Sequence, residues 1–529
     1  MARVPLPDAL WDAATYPPGT GTPTVRETHA SWIALAGPYA YKLKKPVRFP
    51  FLDYSTPERR RAACATELEL NRRFAPSLYL DLQGLRATAT GAAFGPDGAD
   101  AEPAVRMRRF PPEAELDRRL AAGVAHPDEL ARLGTDLAGW HAQATVAERP
   151  VGGRTEQART LAAAEDALAP LAAPGSRLAP GRVARLARAL TAGHAALGGW
   201  FDARHAAGRV RECHGDLHAG NVVLLDGRLV PFDGIDFSAE LRFVDVASDV
   251  AFLAMDLARH DRADLECALL SAWFAGSGDY DAAHGLPWYV AYRALVRAEV
   301  AALRARQQTG DAAERAWREA DASVALAERR LAGRRGRLVA TVGPSGSGKS
   351  RLAAALVSRL PGVRISSDLE RKRLAGLAPL ASSGAAPEAG PYTADASDRV
   401  YARLADAAGT VACAGYDAIV DSTALARHRR EAFAERARRL SLPLAWLECS
   451  APPEVLRARV LTRRGDPSEA TVAILERQLT RAEPLSAEER AHAVGVDTSA
   501  AVDADAVAAA LRAAAAPPGG SSAASAPES

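Results

Sequence analysis

The sequence predicts two consecutive folding units: a two-lobed α+β unit over residues 1–331 and an α/β unit with a parallel sheet over 337–514. Three observations predict this. At 529 residues the chain exceeds what one hydrophobic core organises. Strand-like runs crowd the first hundred residues, and helical periodicity dominates from 113 to 331. After 337, apolar strands and amphipathic helices alternate, as they do where parallel strands are joined by crossover helices.

Apolar runs at 31–36 and 40–45 flank a Gly37-Pro38 turn. Helical spacing follows over 56–74, where Leu68, Leu70 and Phe74 recur and Pro57 stands near the start. A strand at 104–110 leads into Pro111-Pro112, read as the hinge between lobes of about 1–105 and 111–331. Its Arg106-Met-Arg-Arg run reads as a solvated strand edge. Helices over 113–207 break near Pro150 and Pro174, and they resume over 246–331 after a short β segment at 222–237. A basic linker at 332–336 precedes a strand at 338–342. Helix 350–360, strand 363–366, helix 396–414 and strands 418–421 and 444–448 follow. Residues 515–529, rich in Pro, Gly, Ser and Ala, read as a disordered tail.

With 48% apolar and 25% charged residues and a net charge of +2, the chain offers no electrostatic pull toward nucleic acid or a membrane surface. Met1 is followed by no signal-peptide core, and no apolar run reaches the roughly 18 residues of a membrane span. Five scattered cysteines without a CxxC pair suit a reducing cytoplasm and argue against a disulfide frame or a zinc site. Lysine is scarce: Lys42, Lys44, Lys45, Lys349 and Lys372 stand against 61 arginines, and asparagine occurs only at Asn71 and Asn221. In such a chain the survivors concentrate where a compact ammonium or a neutral carboxamide has no substitute.

His214-Gly-Asp216-Leu-His218-Ala-Gly-Asn221 places an Asp and an Asn five residues apart. Phosphoryl transfer to a hydroxyl needs a carboxylate to receive and orient the alcohol, and oxygen ligands to hold Mg²⁺ against the phosphates. One loop carrying Asp216 and Asn221 supplies both. Residues 222–232 then read as a hairpin turning at Asp226-Gly227, with Leu225 opposite Arg228 and Asn221 opposite Phe232. That register brings Asp233 beside Asn221 as a second metal ligand, with Asp236 as the alternative. His218 reads as a structural or substrate contact and His141 as a core histidine.

The order of HGDLHAGN, hairpin, FDGIDF and the Asp245-to-Asp249 stretch resembles the aminoglycoside phosphotransferase family, a branch of the protein-kinase-like fold, over about 26–331. The resemblance implies Asp216 as catalytic base, with Asn221 and the following Asp binding metal. It also implies an N-lobe lysine on the α- and β-phosphates of ATP, paired with a helix glutamate. Lys42 and Lys44 share one strand face, and Glu67 and Glu69 lie on the helix. Lys42 with Glu67 is the preferred pair. No G-x-G-x-x-G precedes them, so residues 28–31 are the candidate phosphate-covering loop.

Gly343-Pro-Ser345-Gly346-Ser347-Gly348-Lys349-Ser350 is a complete G-x-x-x-x-G-K-S between a strand and a helix. Its glycines let backbone N–H groups turn inward around phosphate at a helix N-terminus. Lys349 should reach the β- and γ-phosphates, and Ser350 should hold Mg²⁺. Asp368 ends the next strand, where a carboxylate receives the proton of an acceptor hydroxyl, and Arg371 one turn on can clamp an anionic group. Asp421 is the candidate second Mg²⁺ position. Arg459 and Arg463 read as a lid. This part resembles the small P-loop kinases of the polynucleotide-kinase, gluconate-kinase and zeta-toxin type over about 337–512, which implies Asp368 as general base and Arg463 as lid arginine.

The whole chain resembles bifunctional aminoglycoside phosphotransferase-like, ATP-binding proteins. The expectation is an ATP- and Mg²⁺-dependent phosphotransferase with two nucleotide sites acting on small hydroxylated compounds. An ATP-sensing module in which one unit gates the other is the alternative, and a nucleic-acid end kinase is the third reading. Polycationic aminoglycosides call for an acidic acceptor surface, and the many arginines over 113–210 argue against them.

Overall fold

The computed structural model describes residues 7–49, 52–153, 155–384, 389–463 and 467–515. The expected tail therefore lies outside the described residues, except Ala515. The chain divides into two compact units. The first comprises Met1–Leu133, Gly139–His260 and Tyr292–Val324, and the second comprises Gly134–Ala138, Asp261–Ala291 and Ala325–Ser529. Among the described residues no helix is long and apolar enough to cross a membrane.

The first unit has the two-lobed, protein-kinase-like α+β architecture. Its N-terminal lobe is a six-stranded antiparallel sheet. Thr24–Glu27, Ser31–Ala36, Tyr39–Lys44, Glu102–Arg108, Tyr79–Thr88 and Gly91–Pro96 lie side by side in that order. Period-two alternation gives the sheet two apolar faces. Tyr41 and Leu43 pack with Leu10, Tyr16 and Leu85 on one. Ala40, Val105 and Met107 pack with Cys64, Leu78 and Val223 on the other. The helix Pro57–Arg72 starts where the Thr56 side chain accepts from the Arg59 N–H and Pro57 supplies a ready-made first turn. The Arg106 run is not a solvated edge: Glu102–Arg108 is an interior strand, and Arg106 pairs with Asp81 across it. Period two alone does not distinguish an interior strand with charged ends from an edge. The expected hairpin forms with Leu225 opposite Arg228, and Asp226 and Gly227 both take positive φ, 48° and 78°. The Phe232 N–H donates to the Asn221 carbonyl at 2.9 Å.

The second unit holds an all-parallel five-stranded sheet. Its strands are ordered Gly362–Ser366, Asp417–Asp421, Leu338–Val342, Leu444–Ser450 and Ala493–Asp497. The central strand Leu338–Val342 is buried throughout, as a strand covered on both faces must be. The helix Ala263–Ser277 belongs to this unit and lies against its edge strand. The Ser271 hydroxyl accepts from the Arg364 N–H at 2.9 Å, and Glu266 accepts from Tyr416 Oη at 2.6 Å. Arg330 also donates to Glu266, at 2.6 and 2.7 Å. Leu265, Leu269, Trp273 and Phe274 of that helix are fully buried. A fragment beginning at 337 therefore loses the cover of its edge strand and strips Tyr416 of a buried partner. It is expected to melt well below the P-loop unit of the whole chain and to aggregate on heating. Calorimetry of the fragment beside the full chain checks this, and an unchanged melting temperature refutes it.

Candidate active sites

In the first unit, strand alternation turns Lys42 and Lys44 together toward the helix Pro57–Arg72, where buried Glu67 receives both. Lys42 Nζ lies 2.7 Å from Glu67 Oε1, and Lys44 Nζ lies 2.7 Å from Oε2. Each lysine has a further carboxylate, Asp233 at 2.5 Å from Lys42 and Asp236 at 2.5 Å from Lys44. Asp233, Lys42, Glu67, Lys44 and Asp236 thus form one chain of alternating charge. Burial pushes the Glu67 carboxyl up, but the two ammonium groups outweigh it and hold it at about 2. A cavity of about 490 Å³ separates the alternatives: Lys42 and Asp233 line it, together with Met107 and the hinge residues Phe110 and Pro111. Lys44 and Asp236 are not on its wall, and their side chains are only 4% and 7% exposed.

Asp233 has a φ of 60°, a left-handed backbone that costs a residue with a Cβ about 1 kcal/mol or more. Three bonds hold the turn there. Its N–H donates to Tyr79 Oη at 3.0 Å, the Gly234 N–H to Asn71 Oδ1 at 2.7 Å, and the Ile235 N–H to the His214 carbonyl at 3.0 Å. Both asparagines of the chain thus serve this site. Asn71 lay outside every recognised motif, and its rarity was the only signal that marked it.

The loop carrying Asp216 is braced from the helix Val246–Arg259. Asp249 accepts from the His214 and Gly215 N–H groups at 3.3 and 2.9 Å and hydrogen-bonds His141 Nε2 at 3.1 Å, while Asp256 accepts from the Ala219 N–H at 3.0 Å. His141, Cys213 and Asp249 cluster within 4.8 Å. Burial pushes the Cys213 thiol up and Asp249 is already engaged, so the cluster acts as a brace for the loop. Asn221 Nδ2 donates to the Asp216 carbonyl at 3.0 Å and to Oδ2 at 3.1 Å, which leaves Oδ1 of Asn221 as its available oxygen. His218 Nε2 lies 3.4 Å from Asp216 Oδ2. Burial pushes Asp216 up, but the bond and charge of His218, then His214 and Arg293, outweigh it and keep the carboxyl at about 2. Asp216 is therefore an ionised carboxylate on this loop.

In the second unit the loop between Val342 and Lys349 takes positive φ at Gly343, Gly346 and Gly348. A Cβ at Gly343 would stand 2.4 Å from the Cys449 carbonyl, so only glycine fits. Among the described residues Ser347 Oγ is buried with no hydrogen-bond partner, an orphan polar atom inside a loop whose Gly346 and Gly348 N–H groups suit an anion. Burial pushes the Lys349 ammonium down against the pull of Asp421 and Asp368, and its Nζ donates to the Pro344 carbonyl at 3.1 Å. Ser350 Oγ donates to Asp421 Oδ1 at 3.0 Å, and Arg364 grips Asp421 Oδ2 at 2.5 Å. Gln478, which carries no local sequence signal, accepts from the Ser345 N–H at 2.8 Å.

Two cavities meet at this loop. One of about 450 Å³ is lined by Gly346, Gly348, Ser350, Arg459 and Arg463. The other, of about 380 Å³, is lined by Ser345, Asp368, Arg371 and Asp421. Lys349 stands on the wall of both. The capping task at the helix Ser367–Leu374 falls to Ser366, so Asp368 is not spent on it. Arg371 donates to the Pro391 carbonyl at 2.7 Å and to Ser397 Oγ at 3.0 Å, both neutral, so its charge is kept. Arg459 clamps the Gly346 carbonyl at 3.2 Å and Thr498. Lys45 pairs with Glu27, and Lys372 donates to the Ala381 carbonyl and lies 3.5 Å from Glu469, a residue of the 380 Å³ cavity wall; neither lysine itself lines these cavities.

The family model described as "AAA domain" matches residues 338–485. Among solved structures, an aminoglycoside phosphotransferase from Alicyclobacillus acidocaldarius is 14% identical with a TM-score of 0.37, over 63% of this chain and 96% of that one. A gluconokinase from Sinorhizobium meliloti is 23% identical with a TM-score of 0.25, over 34% of this chain and 91% of that one. The uncharacterized protein Rv2004c of Mycobacterium tuberculosis is 31% identical over 454 residues, 85% of this chain and 88% of that protein. A match of that length spans both units. The chain belongs to the family of this mycobacterial protein.

Proposed function

We propose that the chain is an ATP-dependent phosphotransferase with two nucleotide sites, each passing the terminal phosphoryl group to a hydroxyl of a small compound. The observation that supports this most is Lys349 on the wall of two cavities, one suited to a nucleotide and one to an acceptor. An ammonium between donor and acceptor stabilises charge on the group in transit. On the nucleotide side, Gly343, Ser345 and Ser347, whose N–H groups donate to Thr423, Gln478 and Pro344, shape the loop so that the N–H groups of Gly346 and Gly348 cradle phosphate, and Arg463 neutralises charge. On the acceptor side, Asp368 receives the hydroxyl proton and Arg371 holds the acceptor.

In the first unit Lys42, set by Glu67, binds the α- and β-phosphates, and Asp216 orients the acceptor hydroxyl and receives its proton at Oδ. The oxygen donors Asn221 Oδ1 and Asp233 in this unit, and Ser350 Oγ and Asp421 in the second, suit a hard divalent cation. Mg²⁺ bound there would neutralise phosphate charge. Asp236, buried against Lys44, serves Lys44 and Glu67 and is not a metal ligand in this reading. A reducing cytoplasm suits the five free cysteines.

Titration of the whole protein with a magnesium complex of a non-hydrolysable ATP analogue should show two equivalents bound. Lys349→Ala should remove one and Lys42→Met the other. One equivalent, untouched by either substitution, would refute the two-site reading.

A further inference from the structure

Four arginines in the described residues are at least nine-tenths buried: Arg60, Arg204, Arg293 and Arg430. Three are paired with a carboxylate. Arg60 meets Glu102, Arg204 grips Asp245 through two bonds of 2.9 and 2.7 Å, and Arg430 meets Glu489 at 2.7 Å. Arg293, 6% exposed, has no carboxylate partner among the described residues. Its Nη2 lies a long 3.4 Å from Ser248 Oγ, its Nε has no hydrogen-bond partner, and its guanidinium sits 4.6 Å above the Phe252 ring and 5.0 Å from that of Tyr292. One turn further along the helix Leu286–Gln307, Arg297 is paired with Asp256 at 3.0 Å. A buried cation without an anion is destabilising, because aromatic faces and one weak hydroxyl contact return little of its lost hydration.

The surroundings of Arg293 say where its missing partner comes from. Phe252, under the guanidinium, packs edge-on against the His218 ring at 5.6 Å, and His218 lies 3.4 Å from the Asp216 carboxylate. Arg293 thus stands behind the residue that orients the acceptor hydroxyl. Neither it nor Asp216 lines the cavity that holds Lys42 and Asp233. The charge of Arg293 is felt at Asp216, yet no ion pair neutralises it there.

We infer that Arg293 is the anion-recognition residue of the acceptor subsite in the kinase-like unit, and that the hydroxyl compound taken there carries a carboxylate or a phosphate group. Planar, always charged and with an unused N–H, a guanidinium is suited to either oxyanion, and a cationic acceptor is repelled by it. The chemical step is otherwise as proposed above: the hydroxyl oxygen forms the new P–O bond, the bond to the leaving diphosphate breaks, and the hydroxyl proton passes to Asp216.

The inference rests on the phosphotransferase reading of this unit, and its test separates the two. Thermal melts of the full chain carrying Lys349→Ala are recorded with inorganic phosphate and with acetate as probes, with and without Arg293→Met. With Arg293 present, one or both anions should raise the melting temperature, and the stronger one names the group. Arg293→Met should leave the anion-free melting temperature equal or higher and abolish that rise. A purely structural Arg293 gives the reverse: the Met variant melts lower, and any anion response is unchanged. That result overturns the inference, as does a wild-type arginine with no anion response. In turnover assays comparing glycerate with glycerol, Arg293→Gln should erase an at least tenfold preference for glycerate in kcat/KM, and a preference for glycerol counts against the inference. Binding of the ATP analogue by Arg293→Met is read separately. If the kinase-like unit binds none with Arg293 intact, the phosphotransferase reading fails while the anion response still stands or falls by itself.

Discussion

Asp216→Asn is expected to lower phosphoryl transfer at the kinase-like site by about a hundred- to ten-thousand-fold while leaving nucleotide affinity unchanged. The substitution keeps the shape of the side chain and the contact to Asn221, and Asp216 does not line the cavity that contains Lys42. It removes the one carboxylate that the loop presents beside His218. Because His218, His214 and Arg293 hold that carboxyl at about 2, Asp216 is ionised throughout the working range. The rate should therefore show no acid limb from this group above about pH 4. The measurement is ADP release against pH in a Lys349→Ala background, which silences the P-loop. Equal rates with and without Asp216→Asn in that background would remove the residue from the chemistry.

The second large effect is on stability. Glu67 is buried between two lysines, so Glu67→Gln leaves two buried ammonium groups short of a charge. Breaking a buried pair in this way costs roughly 3–5 kcal/mol. Linkage gives a similar figure. The folded Glu67 carboxyl sits at about 2 against an ordinary 4.5, a difference worth roughly 3 kcal/mol. The sign follows from the depressed value. The stabilisation is fully present above pH 4.5 and is lost as pH falls toward 2. Urea unfolding at pH 7 and pH 3 checks both parts: Glu67→Gln should lower stability strongly at pH 7 and much less at pH 3. A uniform loss at both values would mean that Glu67 acts through packing and not through charge.

Much of the fold and of the placement of both candidate sites was legible because short motifs tie chemistry to backbone. GPSGSGKS needs positive φ where only glycine is free to adopt it, so the strand before it and the helix after it are found at their expected places. The Asp226-Gly227 turn set the hairpin register and with it the position of Asp233. What stayed hidden depends on contacts distant in sequence. Both Lys42 and Lys44 point at the helix, as alternation requires, and only the walls of the cavity tell them apart. Ala493–Asp497 is a short, half-exposed edge strand containing a glycine, too weak in pattern to stand out. Gln478 reaches the Ser345 amide from 133 residues away, and no local rule links them. Periodicity shows that Ala263–Ser277 is an apolar helix but not which sheet it covers.

The allegiance of that helix bears on how the protein is made. Ala263–Ser277 emerges from the ribosome before any strand of the sheet it shields exists. About 140 residues separate it from the end of Asp417–Asp421, the neighbour that its own edge strand requires. At about 5–20 residues per second that is a wait of roughly 7–30 s with Leu265, Leu269, Trp273 and Phe274 lacking their final partners. The nascent chain passes through a window in which a chaperone, or a mistaken neighbour, has first access to that surface.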